Sequence, residues 1–272
     1  GGIDILVNNA SAIYLAGRIQ NAQTTLNGLS VSSFAEDNGY VLKLAFDSGG
    51  AARMIFASYY AKGAIPKDMA VDSSGALLMT GAVYLYDWDP FPSVNAIGFT
   101  GGAFLAKFRF DPVGRTLTLP FSTRIQSPSA SSIAIDGSTS IYLAGWGRDQ
   151  DLVKVNPLPG TEGLTGTFAV KISATGADTY RIAASTILPE MFSGGRESIA
   201  LDGQGDLYVG SSRSDRFTQV NSDVTIPATV FSGAAVVRLR YVNDVPTIVS
   251  ASKLPLIGFS HEVRLAVDAN RD

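Results

Sequence analysis

An apolar run, a short polar turn and a second apolar run closed by glycine recur along the chain, most plainly at Ser131-Ser132-Ile133-Ala134-Ile135-Asp136-Gly137-Ser138-Thr139-Ser140-Ile141-Tyr142-Leu143-Ala144-Gly145. The same pattern runs from Ile5 to Gly17, from Met69 to Gly81 and from Ile199 to Gly210, and opens again at Leu265-Ala266-Val267-Asp268. The turn residue falls at Asn8, Asp72, Asp136, Asp202 and Asp268, at intervals of 64, 64, 66 and 66. A second marker, a basic residue inside an apolar run, follows each copy at Lys43, Lys107, Lys171 and Arg238, at intervals of 64, 64 and 67. Two markers keeping one period identify a repeat architecture.

Each unit holds four short apolar segments, in the third copy Ser132–Ile135, Ser140–Ala144, Thr167–Ser173 and Thr179–Thr186. All are of strand length, and their Ile, Val, Phe, Tyr and Thr suit a pleated surface. Asp-Gly-Ser-Thr-Ser and Ala-Thr-Gly-Ala-Asp supply turn chemistry between hairpin partners. The prediction is an all-β chain of four-stranded antiparallel blades, a β-propeller. Blades are placed at about 1–65, 66–129, 130–195 and 196–258, and residues 259–272 start a further one. The first strand of a blade reads large, alanine, large, as in Ile133-Ala134-Ile135. Period two sets the alanine on the opposite face, where a small residue lets a neighbouring blade approach.

Met69-Ala70-Val71-Asp72-Ser73-Ser74-Gly75-Ala76-Leu77-Leu78-Met79-Thr80-Gly81, followed by Ala103-Phe104-Leu105-Ala106-Lys107-Phe108, resembles the bacterial β-propeller repeats called SBBP and, more distantly, the NHL repeats. The resemblance implies a secreted or surface-displayed bacterial protein whose propeller is a binding or scaffold module. It also implies closed rings of six to eight blades. Four blades and the first strand of a fifth therefore read as part of a larger ring, with further blades or domains expected as partners.

The long connections join the second and third strands of each blade, at the end that also carries the links between blades. Function concentrates in loops on a rigid scaffold, so this face is the expected binding face. The second unit places Asp87, Trp88 and Asp89 there, and the third Trp146, Arg148, Asp149 and Asp151. The fourth contributes Arg213, Asp215 and Arg216. Aromatics beside carboxylates suit a glycan or a protein ligand. Asp87 and Asp89 are also calcium-type oxygens, but calcium takes about 6–8 of them, and no cofactor is implied. Asn9-Ala10-Ser11 matches a glycosylation acceptor but reads as a hairpin turn, and His261 is the only histidine. The repeated turn Asp and strand Lys are read as structural, because an Asx side chain bonds turn backbone and a cation in an apolar strand must snorkel or pair.

A net charge of -3 offers no electrostatic case for nucleic acid or an anionic membrane. No apolar run is long enough to span a bilayer. The chain has no cysteine, which removes disulfides, thiolate metal sites and cysteine nucleophiles; with the family resemblance, this places it outside a bacterial cell or on its surface. Three readings follow. The first is a non-enzymatic binding or scaffold module. The second is a propeller enzyme, a lyase or hydrolase using the loop carboxylates Asp87, Asp149 and Asp215, metal-assisted or not. The third is a structural spacer. No GxSxG, Walker or HExxH pattern supports the enzyme.

Overall fold

The computed structural model describes residues 3–8 (backbone only), 12–19, 25–29, 38–84, 91–98, 100–137, 139–188, 191, 197–212, 218–225, 233–254 and 263–267. These form sixteen strands in four antiparallel sheets, each in simple sequence order. The first sheet is β1 (Ile3–Asn8), β2 (Ala12–Ile19), β3 (Asn38–Phe46) and β4 (Ala52–Lys62). The second is β5 (Ala64–Val71), β6 (Leu77–Val83), β7 (Ala103–Asp111) and β8 (Thr116–Ile125). The third is β9 (Ser129–Asp136), β10 (Ser140–Arg148), β11 (Thr165–Ala174) and β12 (Tyr180–Ile187). The fourth is β13 (Ser198–Leu201), β14 (Leu207–Ser211), β15 (Ala235–Val242) and β16 (Val245–Lys253). The four repeats of apolar segments thus become four-stranded propeller-type blades, and the one helical turn among the described residues is a 3-10 turn at Asp149–Asp151.

Two compact units are built from these sheets. The first comprises Gly1–Ile125 together with Gly176–Thr179, the turn that joins β11 to β12; the second comprises Gln126–Thr175 and Tyr180–Asp272. In the first, the core gathers Tyr14, Phe56, Tyr60, Met79, Phe104 and Phe108. The Tyr60 hydroxyl, fully buried, shares a 2.8 Å hydrogen bond with Ser122. In the second, Tyr142, Leu188, Ile199, Val209, Val237 and Leu239 are core residues, and Ala134 and Leu201 pack against them. First strands in this unit are tied at a repeated point: the Ile199 amide donates to Ser132 Oγ (3.2 Å), and the Leu265 amide to Ser198 Oγ (3.0 Å).

The glycine expected to close each second strand lies inside it. β6 continues past Gly81 to Val83, and β10 past Gly145 to Arg148. A Cβ on Gly81 would lie 2.0 Å from the Ile65 carbonyl oxygen, and one on Gly145 2.1 Å from that of Ser129. The register shifts beside these contacts, between Pro66 and Asp68 and between Ala144 and Gly145. The glycine therefore admits a bulged first strand, a backbone approach that any side chain would block, and the second strand runs on beyond it.

Candidate functional site

The long connections are not free loops. Each returns to the outer strand of its own sheet and forms one bridge there: Leu26 with Ala57, Val94 with Ser122, Val155 with Ser185 and Val220 with Ala251. The next residue is asparagine every time, with φ of 51° at Asn27, 49° at Asn95, 45° at Asn156 and 46° at Asn221. Asparagine tolerates this left-handed region better than most residues. Its side-chain amide then donates to a carbonyl of the outer strand, at 2.9 Å to Ile55, 2.9 Å to Pro120, 3.0 Å to Ala183 and 2.9 Å to Val249. A strand hydroxyl completes the clasp. Ser58, Thr123 and Thr186 accept the amides of Leu29, Ile97 and Leu158, while Ser252 bonds the Ser222 hydroxyl. The clasp covers part of the otherwise unpaired outer edge, as edge strands require. An apolar residue followed by asparagine inside each long connection was its visible signal, blurred by intervals of 68, 61 and 65.

In the third blade the predicted loop residues are organised by this return. Trp146 and Arg148 belong to strand β10, paired with Thr167 and Thr165, and not to the loop. Trp146 is half-buried, and the exposed Arg148 grips Asp151 through both carboxylate oxygens at 2.6 and 3.2 Å. Asp149 is buried and turned into the loop, where its carboxylate accepts from the Gly163 amide (2.8 Å) and pairs with Lys154 (2.7 Å). Burial opposes its charge, but the bonds from Lys154 and Gly163 outweigh that and hold its carboxyl below the ordinary range. Asp149 and Asp151 thus shape the 149–164 loop. Asp87, Trp88, Asp89, Arg213, Asp215, Arg216 and His261 lie outside the described residues.

The repeated acid and base meet partners near and far. Asp72 Oδ1 accepts from the Ser74 and Ala76 amides (2.9 and 3.0 Å), which makes the hairpin turn, while its Oδ2 lies 3.1 Å from Lys107 Nζ. Lys107, with 4% of its side chain exposed, also reaches Asp178 at 3.3 Å; Arg109 joins the same carboxylate at 2.9 Å. Burial works against the charge of both acids. Hydrogen bonds from Ser74, Ala76 and Lys107 outweigh it at Asp72, and those from Arg109 and Lys107 at Asp178, so both titrate below the ordinary 3.8. In the second unit Lys171 and Arg181 share Asp244 at 2.9 and 2.7 Å, and Arg238 lies 3.3 Å from Asp202 and 2.6 Å from Asp206. Asp202 makes the same turn as Asp72, accepting from Gln204 and Asp206 amides. Asp136, by contrast, is exposed, Asn8 is described in backbone alone, and Asp268 lies outside the described residues.

Lys43 departs from this pattern. Its Nζ sits 4.9 Å from the centre of the Tyr14 ring, and no described carboxylate lies within ion-pair distance. A further polar pair is buried in the second unit, where Ser131 of β9 donates to the carboxylate of Glu197, the residue just before β13. The described residues hold no cluster of three or more His, Cys, Asp or Glu suited to a metal ion, and no helix among them is long and apolar enough to cross a membrane.

No protein-family model matches the chain, and no curated protein matches it by sequence. Solved structures do. A candidate 6-phosphogluconolactonase from Bacteroides fragilis NCTC 9343 superimposes with a TM-score of 0.50 at 10% identity, over 99% of this chain and 71% of that one. A second such protein from Bacteroides uniformis gives 0.42 at 11% identity, covering 96% of this chain and 73% of its own. A xylan β-1,4-xylosidase from Bacillus halodurans C-125 gives 0.40 at 12% identity, over 96% of this chain and 47% of that one. The first of these likenesses, together with the four antiparallel sheets, makes the chain a β-propeller-type protein, and at 10% identity it speaks for the fold alone.

Proposed function

We propose that this chain is a non-enzymatic binding or scaffold module of a larger secreted or surface protein, recognising a glycan or a protein through its long connections. The observation that carries the reading is the clasp repeated in all four blades. A loop already tied down loses little entropy when a ligand arrives, and preorganisation of this kind favours recognition. In the third blade it sets the half-buried ring of Trp146 and the exposed Arg148 at the head of a fixed loop. An aromatic face with an adjacent guanidinium suits a sugar ring or a peptide. The test is a glycan and peptide array probed with the wild type, Trp146→Ala and Arg148→Ala. A ligand bound by the wild type and lost in both variants, with melting temperatures little changed, supports the reading. Retained binding in both variants overturns the placement of the site at Trp146 and Arg148, and no ligand at all overturns the reading in favour of the spacer.

A second reading rests on the buried Glu197–Ser131 pair. A buried carboxyl held beside a hydroxyl is an arrangement from which acid–base chemistry is built. The related solved structure named as a candidate 6-phosphogluconolactonase suggests sugar lactones as the substrate class to try. Lactone hydrolysis by the wild type that disappears in a folded Glu197→Gln variant would favour an enzyme. Equal turnover in the two would remove that reading.

A further inference from the structure

In the second and third blades the strand cation meets a carboxylate from one defined place in the following repeat, and for the first blade that place holds a cation. Across the third strand pair, Lys107 faces Phe121, Lys171 faces Ala184 and Arg238 faces Ser250. Six positions ahead of Ala184 stands Asp178, which closes on Lys107; six ahead of Ser250 stands Asp244, which closes on Lys171. In each case the cation takes its acid from the turn of the following repeat. For Lys43 that repeat is the second, and six positions ahead of Phe121 stands Arg115. The other acid is missing as well, because the turn residue of the first repeat is Asn8 where the second has Asp72. Arg115 even keeps the left-handed backbone of Asp244, with φ of 50° against 64°.

The surroundings are otherwise alike. Lys171 lies 6.0 Å from the Tyr142 ring and 5.4 Å from that of Tyr241, and its acid completes the group. Lys43 has Tyr14 in the place of Tyr142, and Phe110 lines the same space. There the structure holds a cavity of about 140 Å³ walled by Tyr14, Phe56, Phe108, Phe110 and Leu77, with Lys43 as its charge. An adjoining cavity of about 300 Å³ shares Phe110 and Pro112 and carries Arg53 and Arg115. One cation thus lines a small space with aromatic walls, and two more line the space beside it. A cation against ring faces in such a space attracts an anion and leaves room for an apolar tail.

We propose that this cavity binds a small organic carboxylate, whose charged group takes the position that Asp178 and Asp244 fill elsewhere and whose short apolar tail lies against the aromatic walls. The smaller cavity has no described residue of the long connections in its lining, while the adjoining one touches the clasp of the first at Leu26 and Asn27.

The probes are butyrate, its neutral amide butyramide, and inorganic phosphate, titrated into the full chain by calorimetry and by NMR. Butyrate is expected to bind saturably, and butyramide and phosphate at least about tenfold more weakly, as a charge-assisted pair in a shaped pocket implies. Lys43→Met should weaken butyrate by about tenfold or more while circular dichroism and melting stay normal. Arg115→Asp provides the second arm: it restores the in-chain acid, so it should expel butyrate and raise the melting temperature. Absence of saturable butyrate binding overturns the proposal, as does undiminished binding in either variant. Equal affinity for phosphate or butyramide overturns the carboxylate assignment. Binding of an acidic peptide but not of butyrate assigns the cavity to a protein partner and overturns the small ligand.

Discussion

Lys107 and Lys43 stand at one position of the repeat in adjoining sheets of the first unit, yet their surroundings differ completely. Lys107 is closed between Asp72 and Asp178, nearly sealed from solvent. Lys43 rests on Tyr14 at the edge of a cavity. The strand dictates where the cation stands, and residues far away decide whether it holds the fold together or is left to meet a ligand. The two repeats differ in those distant partners, with Asn8 where the second repeat has Asp72 and Arg115 where the following repeats have Asp178 and Asp244.

The largest expected effect tests that contrast directly. Lys107→Met strands the buried carboxylate of Asp72 and leaves the half-buried Asp178 to Arg109 alone; removing one member of a buried pair costs about 3–5 kcal/mol. Lys43→Met strands none among the described residues and should cost less than about 1 kcal/mol, as for a partly exposed charge. Urea denaturation of the two variants side by side measures the difference, and equal losses would dissolve the comparison.

Acid should sharpen it. The carboxyls of Asp72, Asp178 and Asp244 titrate below their ordinary 3.8, because hydrogen bonds and cations favour the charged form in the folded state. Their contribution is therefore complete above about pH 4 and is lost as pH falls through the lowered values. Denaturation midpoints from pH 6 down to pH 2 should decline most steeply below pH 4. Asp178→Asn should show a shallower decline, and an unchanged slope would mean that this pair does not govern acid stability.

A smaller effect is expected at the clasp. Asn156→Ala loses the side-chain bond to Ala183 and places alanine at φ of 45°, together about 1–2 kcal/mol. Asn156→Gly keeps the backbone at ease and should cost less, so the order of the two melting temperatures separates hydrogen bond from conformation. The smallest effect is at Arg148→Ala, where an exposed, solvent-screened pair with Asp151 is broken and the melting temperature should hardly move. That variant is the useful one for binding arrays because its fold should survive.

Much of the architecture was legible before any coordinate. Alternating apolar residues and Asp-Gly turns act between neighbours in the chain, so Ile133–Ala144 announces its hairpin locally. The candidate site was less legible. Trp146 was read as the start of a loop because Gly145 looked like a terminator, whereas the backbone contact with Ser129 makes that glycine part of a bulge. The clasp asparagines escaped notice because their spacing wanders with loop length, although each follows an apolar bridge residue. The tyrosines beneath the strand cations, Tyr14, Tyr142 and Tyr208, were equally visible; Leu78 takes their place where Lys107 has two acids instead.

By itself, the sequence determined the repeat, the all-β character and the four-stranded antiparallel blades, since hairpin pairing is set by short-range pattern and turn chemistry. The tertiary structure alone decided which acid meets which base. Arg109 finds Asp178 across 69 residues and Lys171 finds Asp244 across 73, and no local pattern encodes a contact made only when one repeat's turn packs beside another's strand. It also decided that, among the described residues, Lys43 meets the ring of Tyr14 and no such acid.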